Sequence, residues 1–100
     1  MNYAEYAERL KKGEVVSFRP RGNSMNPRIK SGQLVTVTPL AECGEVEKGD
    51  VVFCKVKGSW YVHLCSARKG DQYQISNNKG HVNGWVGPNS VFGKVTVVDD

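Results

Sequence analysis

The stretch Arg19-Pro20-Arg21-Gly22-Asn23-Ser24-Met25-Asn26-Pro27-Arg28-Ile29-Lys30-Ser31-Gly32 decides how this chain is read. Two strand-like runs bracket it, Val15-Val16-Ser17-Phe18 before and Gln33-Leu34-Val35-Thr36-Val37-Thr38 after. Glycine and proline at this density mark a fixed loop rather than a helix or strand. A serine hydroxyl held in such a loop can project into a cleft, although most loop serines only cap turns or face water. What surrounds the loop therefore decides what Ser24 is for.

Upstream, residues 2–12 read as a helix. Tyr3, Tyr6, Ala7 and Leu10 follow i, i+3, i+4, i+7 spacing and share one face. Asn2 suits the N-cap with Glu5 three residues on, Lys11 and Lys12 suit the C-terminal dipole, and Gly13 ends the helix. Downstream, the pattern is β throughout. A polar connection over residues 41–48 leads through Gly49-Asp50 into Val51-Val52-Phe53-Cys54-Lys55-Val56. The turn Lys57-Gly58-Ser59 then gives Trp60-Tyr61-Val62-His63-Leu64-Cys65, and Gly70-Asp71 precedes Gln72-Tyr73-Gln74-Ile75. A polar loop over 76–84 and short strands at Trp85-Val86 and Val91–Val98 close the chain. Strands at this spacing predict a mostly β, coiled or barrel-like fold with one short N-terminal helix, organised as one domain over 1–100 with its β part at 15–98.

Composition narrows the function. One hundred residues with 39% hydrophobic and 24% charged side chains suit one modest core. No apolar run approaches the roughly 20 residues that span a bilayer. The N-terminus lacks the basic and apolar regions of a secretory signal, so no membrane partner and a cytoplasmic location are expected. Cys43, Cys54 and Cys65 show no paired short spacing, which argues against a disulfide framework or a zinc ribbon and for reduced thiols. No cofactor and no metal are expected. The net charge is +4, and Arg19, Arg21, Arg28 and Lys30 fall in a stretch free of acidic residues between Glu14 and Glu42. Such a patch can attract acidic protein or nucleic acid, but no nucleic-acid-binding motif accompanies it, and a solvated basic face is the plainer reading.

Five segments in order now carry a resemblance. Gly22-Asn23-Ser24-Met25-Asn26-Pro27 resembles the G-x-S-M-x-P box of the LexA-like and signal-peptidase-like superfamily. Ser31-Gly32-Gln33-Leu34-Val35-Thr36-Val37 is similar to its next strand, with Gln33 where Asp is usual. Lys48-Gly49-Asp50-Val51-Val52 is similar to its G-D-V-V box, and Val91-Phe92-Gly93-Lys94-Val95 to its closing V-x-G-x-V strand. Val62-His63-Leu64 falls where the superfamily carries its general base. The resemblance covers roughly residues 15–98. It implies a coiled β fold around a serine peptidase site of the Ser–His branch, with Ser24 as nucleophile and His63 as base. It also implies that Asn23, Met25 and Pro27 of the serine box contact substrate. A small member of this kind looks like the peptidase-like proteins carried by phages, which would place it in the host cytoplasm.

The chemistry behind those roles is general. A serine hydroxyl is a poor nucleophile at neutral pH and needs a group to take its proton. Histidine, with an ordinary pKa of about 6.5, suits that task. A lone strand histidine is, by itself, more often structural. Lys55 and Lys57 read as solvated hairpin charges, and His81 as an exposed loop residue. The Ser–His branch also supplies an acid that orients the base. Here the corresponding stretch, 74–85, keeps Asn77-Asn78 but has Ser76 and Asn83 near the two acidic positions. Asn83 is thus the candidate orienter, since an Asn carbonyl can hold an imidazole N–H.

Three readings follow. The first is a small soluble serine endopeptidase that uses Ser24, His63 and Asn83 to cleave a peptide or protein partner. The second is a peptidase-like fold without chemistry that binds a protein. The third and weakest is nucleic-acid binding through the basic loop.

Overall fold

The computed structural model describes residues 2–100; Met1, at the head of the N-terminal reading, lies outside them. The first element is α1, Tyr3–Lys11. The Asn2 side chain caps it by accepting from the Glu5 N–H at 2.9 Å. Ala7 and Leu10 are buried on its inner face. At nine residues, about two and a half turns, α1 depends on this packing for stability.

Seven strands follow: β1 Val16–Phe18, β2 Leu34–Pro39, β3 Val51–Val56, β4 Ser59–Lys69, β5 Gln72–Ser76, β6 Val82–Val86 and β7 Val91–Asp99. They form one sheet in the order β1-β2-β7-β3-β4-β5-β6, and every neighbouring pair is antiparallel. The strand β3 sits mid-sheet and is buried on both faces. Phe53 faces a cluster with Leu10, Phe18, Met25, Ile29 and Val62. Val52 and Cys54 face a second cluster with Val46, Cys65, Tyr73 and Ile75. Burial on both faces accounts for the unbroken apolar run Val51-Val52-Phe53-Cys54, where a half-exposed strand would alternate.

The mostly β, coiled architecture with one short N-terminal helix matches the expectation, and two local expectations are corrected. The polar connection expected over 41–48 is partly helical, since a one-turn helix, α2, spans Leu40–Cys43. Four residues are too few to display a helical period, so pattern reading could not find it. The loop expected over 76–84 is shorter than that, because β6 begins at Val82. Its sequence, Val82-Asn83-Gly84, carries one apolar residue and a glycine, a poor strand signal. The pairing Ile75 with Gly84 and Ser76 with Val82 leaves Asn83 as an extra residue, a β-bulge. Bulges re-aim side chains, and this one matters below.

The closing strand depends on close backbone approach. Gly93 lies between β2 and β3, paired with Pro39 on one side and Phe53 on the other. A Cβ there would stand 2.5 Å from the Thr38 carbonyl oxygen and 2.7 Å from Val37 Cγ1. Only glycine lets the three strands meet at this point.

Candidate active site

The loop between β1 and β2 is fastened at both ends and at its centre. Arg19 Nη1 donates to the Gly32 carbonyl at 2.7 Å, and the Gly32 N–H donates to Pro20 at 3.1 Å. The Gly22 N–H donates to Ser31 Oγ at 3.1 Å. Met25 and Ile29 are each 4% exposed and anchor the loop in the first core cluster. Ser24 therefore sits between a buried neighbour and the exposed Asn23. Its backbone is tied to the far side of the sheet as well. The Asn78 N–H donates to the Ser24 carbonyl at 2.8 Å, and Asn78 Nδ2 donates to the Asn26 carbonyl at 3.0 Å. Arg28 Nε completes the clamp by donating to Asn78 Oδ1 at 2.8 Å.

His63 lies on β4, buried to 6% exposure. Its neighbour on the same strand face, Tyr61, lies with its ring centroid 4.6 Å from the imidazole. Ser24 Oγ stands 3.0 Å from His63 Nε2, and Asn83 Oδ1 stands 2.7 Å from His63 Nδ1. An amide oxygen can only accept, so Nδ1 carries the proton in this arrangement. Nε2 is then the lone-pair nitrogen and accepts from the Ser24 hydroxyl. The bulge on β6 is what delivers Asn83 to this contact. The next residue, Gly84, has φ of 150°, a conformation that disfavours any side chain.

Burial is the main influence on His63 and holds its pKa below the ordinary 6.5, because a charged imidazolium is poorly solvated there. The Asn83 acceptor opposes this by favouring the protonated ring, and His81 adds a smaller lowering. Burial pushes the Cys54 thiol up to about 12, so it is inert as a nucleophile. No cluster of three or more His, Cys, Asp or Glu side chains able to hold a metal ion occurs among the described residues.

Ser24 and His63 open into a cleft of about 310 Å³. Of the three serine-box residues expected to contact substrate, Met25 lines this cleft, whereas the exposed Asn23 and Pro27 do not. Tyr3, Phe53 and Trp60 line it too, and pattern reading assigns them only to the helix face and to strands. Ser76 is buried at the end of β5, paired with Leu64 and Val82. His81 is exposed in the turn beyond it. The basic patch is partly spent internally, since Arg19 and Arg28 both donate within the loop clamp. The clamp residue Asn78 was visible in the sequence as the surviving Asn77-Asn78 pair, but its partner loop was not.

Among the described residues no helix is long and apolar enough to cross a membrane. No curated protein matches the chain. A family model described as peptidase S24-like matches residues 2–96, which takes in α1, all of the serine loop, His63, Asn83 and most of β7. Together with the seven-stranded fold, that match over nearly the whole sequence means that the chain belongs to the peptidase S24-like family.

Proposed function

We propose that the protein is a serine endopeptidase with Ser24 as nucleophile, His63 as general base and Asn83 as the residue that orients the base. The observation that carries this reading is the unbroken contact chain Ser24 Oγ–His63 Nε2 at 3.0 Å and His63 Nδ1–Asn83 Oδ1 at 2.7 Å. Such a chain fixes the tautomer that can accept the serine proton. His63 then returns that proton to the leaving amine, and a water repeats the sequence on the acyl-enzyme. The Ser24 N–H has no acceptor among the described residues and supports the reading as the first oxyanion donor. Met25 forms part of the wall against the peptide.

The β4 edge offers a place for that peptide. β4 pairs with β3 over Ser59–Leu64 but with β5 only from Leu64 onward. The two-residue turn Lys57-Gly58 makes Val56 and Ser59 a hydrogen-bonded pair. Counting from it, the N–H and C=O groups of Trp60 and Val62 point away from β3, along an edge that no strand covers among the described residues. An extended peptide can add there, next to His63. Three free thiols fit a reducing compartment such as the cytoplasm.

An amide in place of a carboxylate stabilises the imidazolium less, so the enzyme is expected to be slow. This same feature favours a second reading, a peptidase-like fold that binds protein without cleaving it. One experiment separates them. Wild type and Ser24→Ala are incubated with a peptide library and with a fluorophosphonate probe. Cleavage and labelling at Ser24, both lost in Ser24→Ala, support the peptidase. Peptide capture that Ser24→Ala leaves intact, with no cleavage and no labelling, supports the binding protein.

A further inference from the structure

The proton-transfer chain makes a cation of His63, and few groups around it stabilise one. A serine that gives its proton to Nε2 leaves an imidazolium on a residue only 6% exposed. Among the described residues no carboxylate lines the cleft or figures among the influences on His63. The charged and titratable groups nearby are cations or become so, and like charge disfavours the imidazolium. Arg21 of the serine loop lines the same cleft, and His81 in the β5–β6 turn lowers the His63 pKa. Lys57, in the turn before β4, has its Cε 3.6 Å from the place a Cβ would take on Gly84, the neighbour of Asn83. Asn83 offers one amide dipole at Nδ1.

An aromatic face supplies what these charges do not. Residues 61 and 63 share one face of β4, because strand side chains alternate. Their partners on β3, Cys54 and Val52, are fully buried, so this face is held firmly. Tyr61 is half-buried and packs on the second core cluster. Its ring centroid stands 4.6 Å from that of the imidazole, with the planes 32° apart. Two rings this close cannot lie side by side, and an edge-on approach would turn the planes nearly perpendicular. The imidazole therefore rests on the Tyr61 face. That face is the negative part of the ring quadrupole, and it attracts a cation within roughly 6 Å of the centroid. The attraction is weak for neutral imidazole and grows as the imidazole is protonated. It is thus stronger in the transition state than in the ground state, which is the condition for raising the rate.

Resting on the peptidase reading, we propose that Tyr61 is a positioning residue for His63. Its ring face steadies the imidazole and stabilises the imidazolium that forms when Ser24 Oγ, attacking the peptide carbonyl, passes its proton to Nε2. The proton then leaves on the departing amine, and the contact acts again when water attacks the acyl-enzyme. The ring takes over part of the work of the absent carboxylate, from the face of the imidazole rather than from Nδ1.

The test reads the His63 pKa directly, by NMR titration of labelled histidine in a His81→Gln background, which leaves a single histidine. Phenylalanine and progressively fluorinated phenylalanines are placed at position 61, since fluorine drains the ring face at nearly constant shape. Tyr61→Phe is expected to hold the pKa and each added fluorine to lower it. Tyr61→Leu, which covers the site without a ring, should lower it by about half a unit or more. For a cleavable peptide kcat should fall in the same order, roughly threefold in Tyr61→Leu, with KM little changed. Thermal melts check that each variant is folded. A pKa that ignores fluorination, a kcat that ignores the pKa, or a loss in Tyr61→Phe as large as in Tyr61→Leu would overturn the role, the last by assigning it to the hydroxyl. The two readings fail separately. A graded pKa with no cleavage of any peptide removes the peptidase and keeps the contact between ring and imidazolium. Cleavage with pKa and kcat both indifferent to fluorination removes the role of Tyr61 and keeps the peptidase.

Discussion

At His63, burial and a hydrogen bond pull in opposite directions, and burial is the larger influence. A pKa below 6.5 means that the neutral, proton-accepting imidazole persists to lower pH than in a free histidine. The acid limb of kcat/KM for a cleavable peptide is therefore expected below pH 6.5, with activity flat above it until the substrate or other groups titrate. Asn83→Asp should reverse the sign of the shift. A carboxylate 2.7 Å from Nδ1 favours the imidazolium, so the acid limb should move up by about one pH unit or more, and the plateau rate should rise. Asn83→Ala removes the acceptor altogether and frees the ring to adopt the other tautomer; a fall of roughly 10²-fold in kcat is expected, with KM little changed. A pH profile of the three forms checks both the direction of the shift and the split between kcat and KM. If all three share one acid limb, the ionisation of His63 does not control the rate.

At the scale of elements, the site depends on segments far apart in sequence being held in register. The β5–β6 turn grips the serine loop through Asn78, which contacts Ser24, Asn26 and Arg28. Asn78→Ala keeps the backbone contact and loses both side-chain bonds. We expect a loss of about 1 kcal/mol in stability and roughly tenfold in kcat, because a slightly misplaced nucleophile loses alignment. Denaturant titration beside single-turnover kinetics measures the two effects independently. Gly93→Ala tests the meeting of β2, β7 and β3. A Cβ only 2.5 Å from a backbone oxygen forces the strands apart, so the substitution should cost about 3 kcal/mol, readable as a lower denaturation midpoint. These elements also show what the sequence could reveal. The serine box, the Lys57-Gly58 turn and the helix carry strong local signals in glycine, proline and apolar spacing, so their positions were legible. The second half of β6, Trp85-Val86, was legible too, but its first half was not, because Val82-Asn83-Gly84 holds a bulge that serves His63, 20 residues away. The aromatic lining of the cleft was hidden for a related reason: Tyr3, Phe53 and Trp60 each read as an ordinary apolar residue of its own element. Only the pairing of β3 with β4 and the packing of α1 on Phe53 bring them to one cleft.

For the molecule as a whole, the two core clusters share β3, and the candidate site lies mainly against the first of them. Phe53 belongs to one cluster and its chain neighbours Val52 and Cys54 to the other. Phe53 also stands at the centre of an aromatic group, with rings of Tyr3, Phe18, Trp60 and Phe92 all within 6 Å of it by centroid. We therefore propose that residues 2–100 unfold as one cooperative domain, α1 included. A protein of this size has roughly 5–15 kcal/mol to lose. Phe53→Ala deletes a fully buried ring whose surroundings are pinned on both faces of β3, so the cavity cannot collapse; a cost of about 4 kcal/mol is expected. For a domain of about 100 residues this corresponds to a Tm lower by roughly 15–30 °C. The cooperativity claim is tested in the same experiment by following two probes: far-UV circular dichroism for the sheet, and the fluorescence of Trp60 in a Trp85→Phe background for the aromatic cluster. If β3 couples the clusters, both curves shift together by the same amount in Phe53→Ala. A Trp60 transition that moves while the sheet signal stays in place would mean that the aromatic side, with α1 and the cleft wall, opens on its own. Peptide binding would then have to supply the order that the core does not.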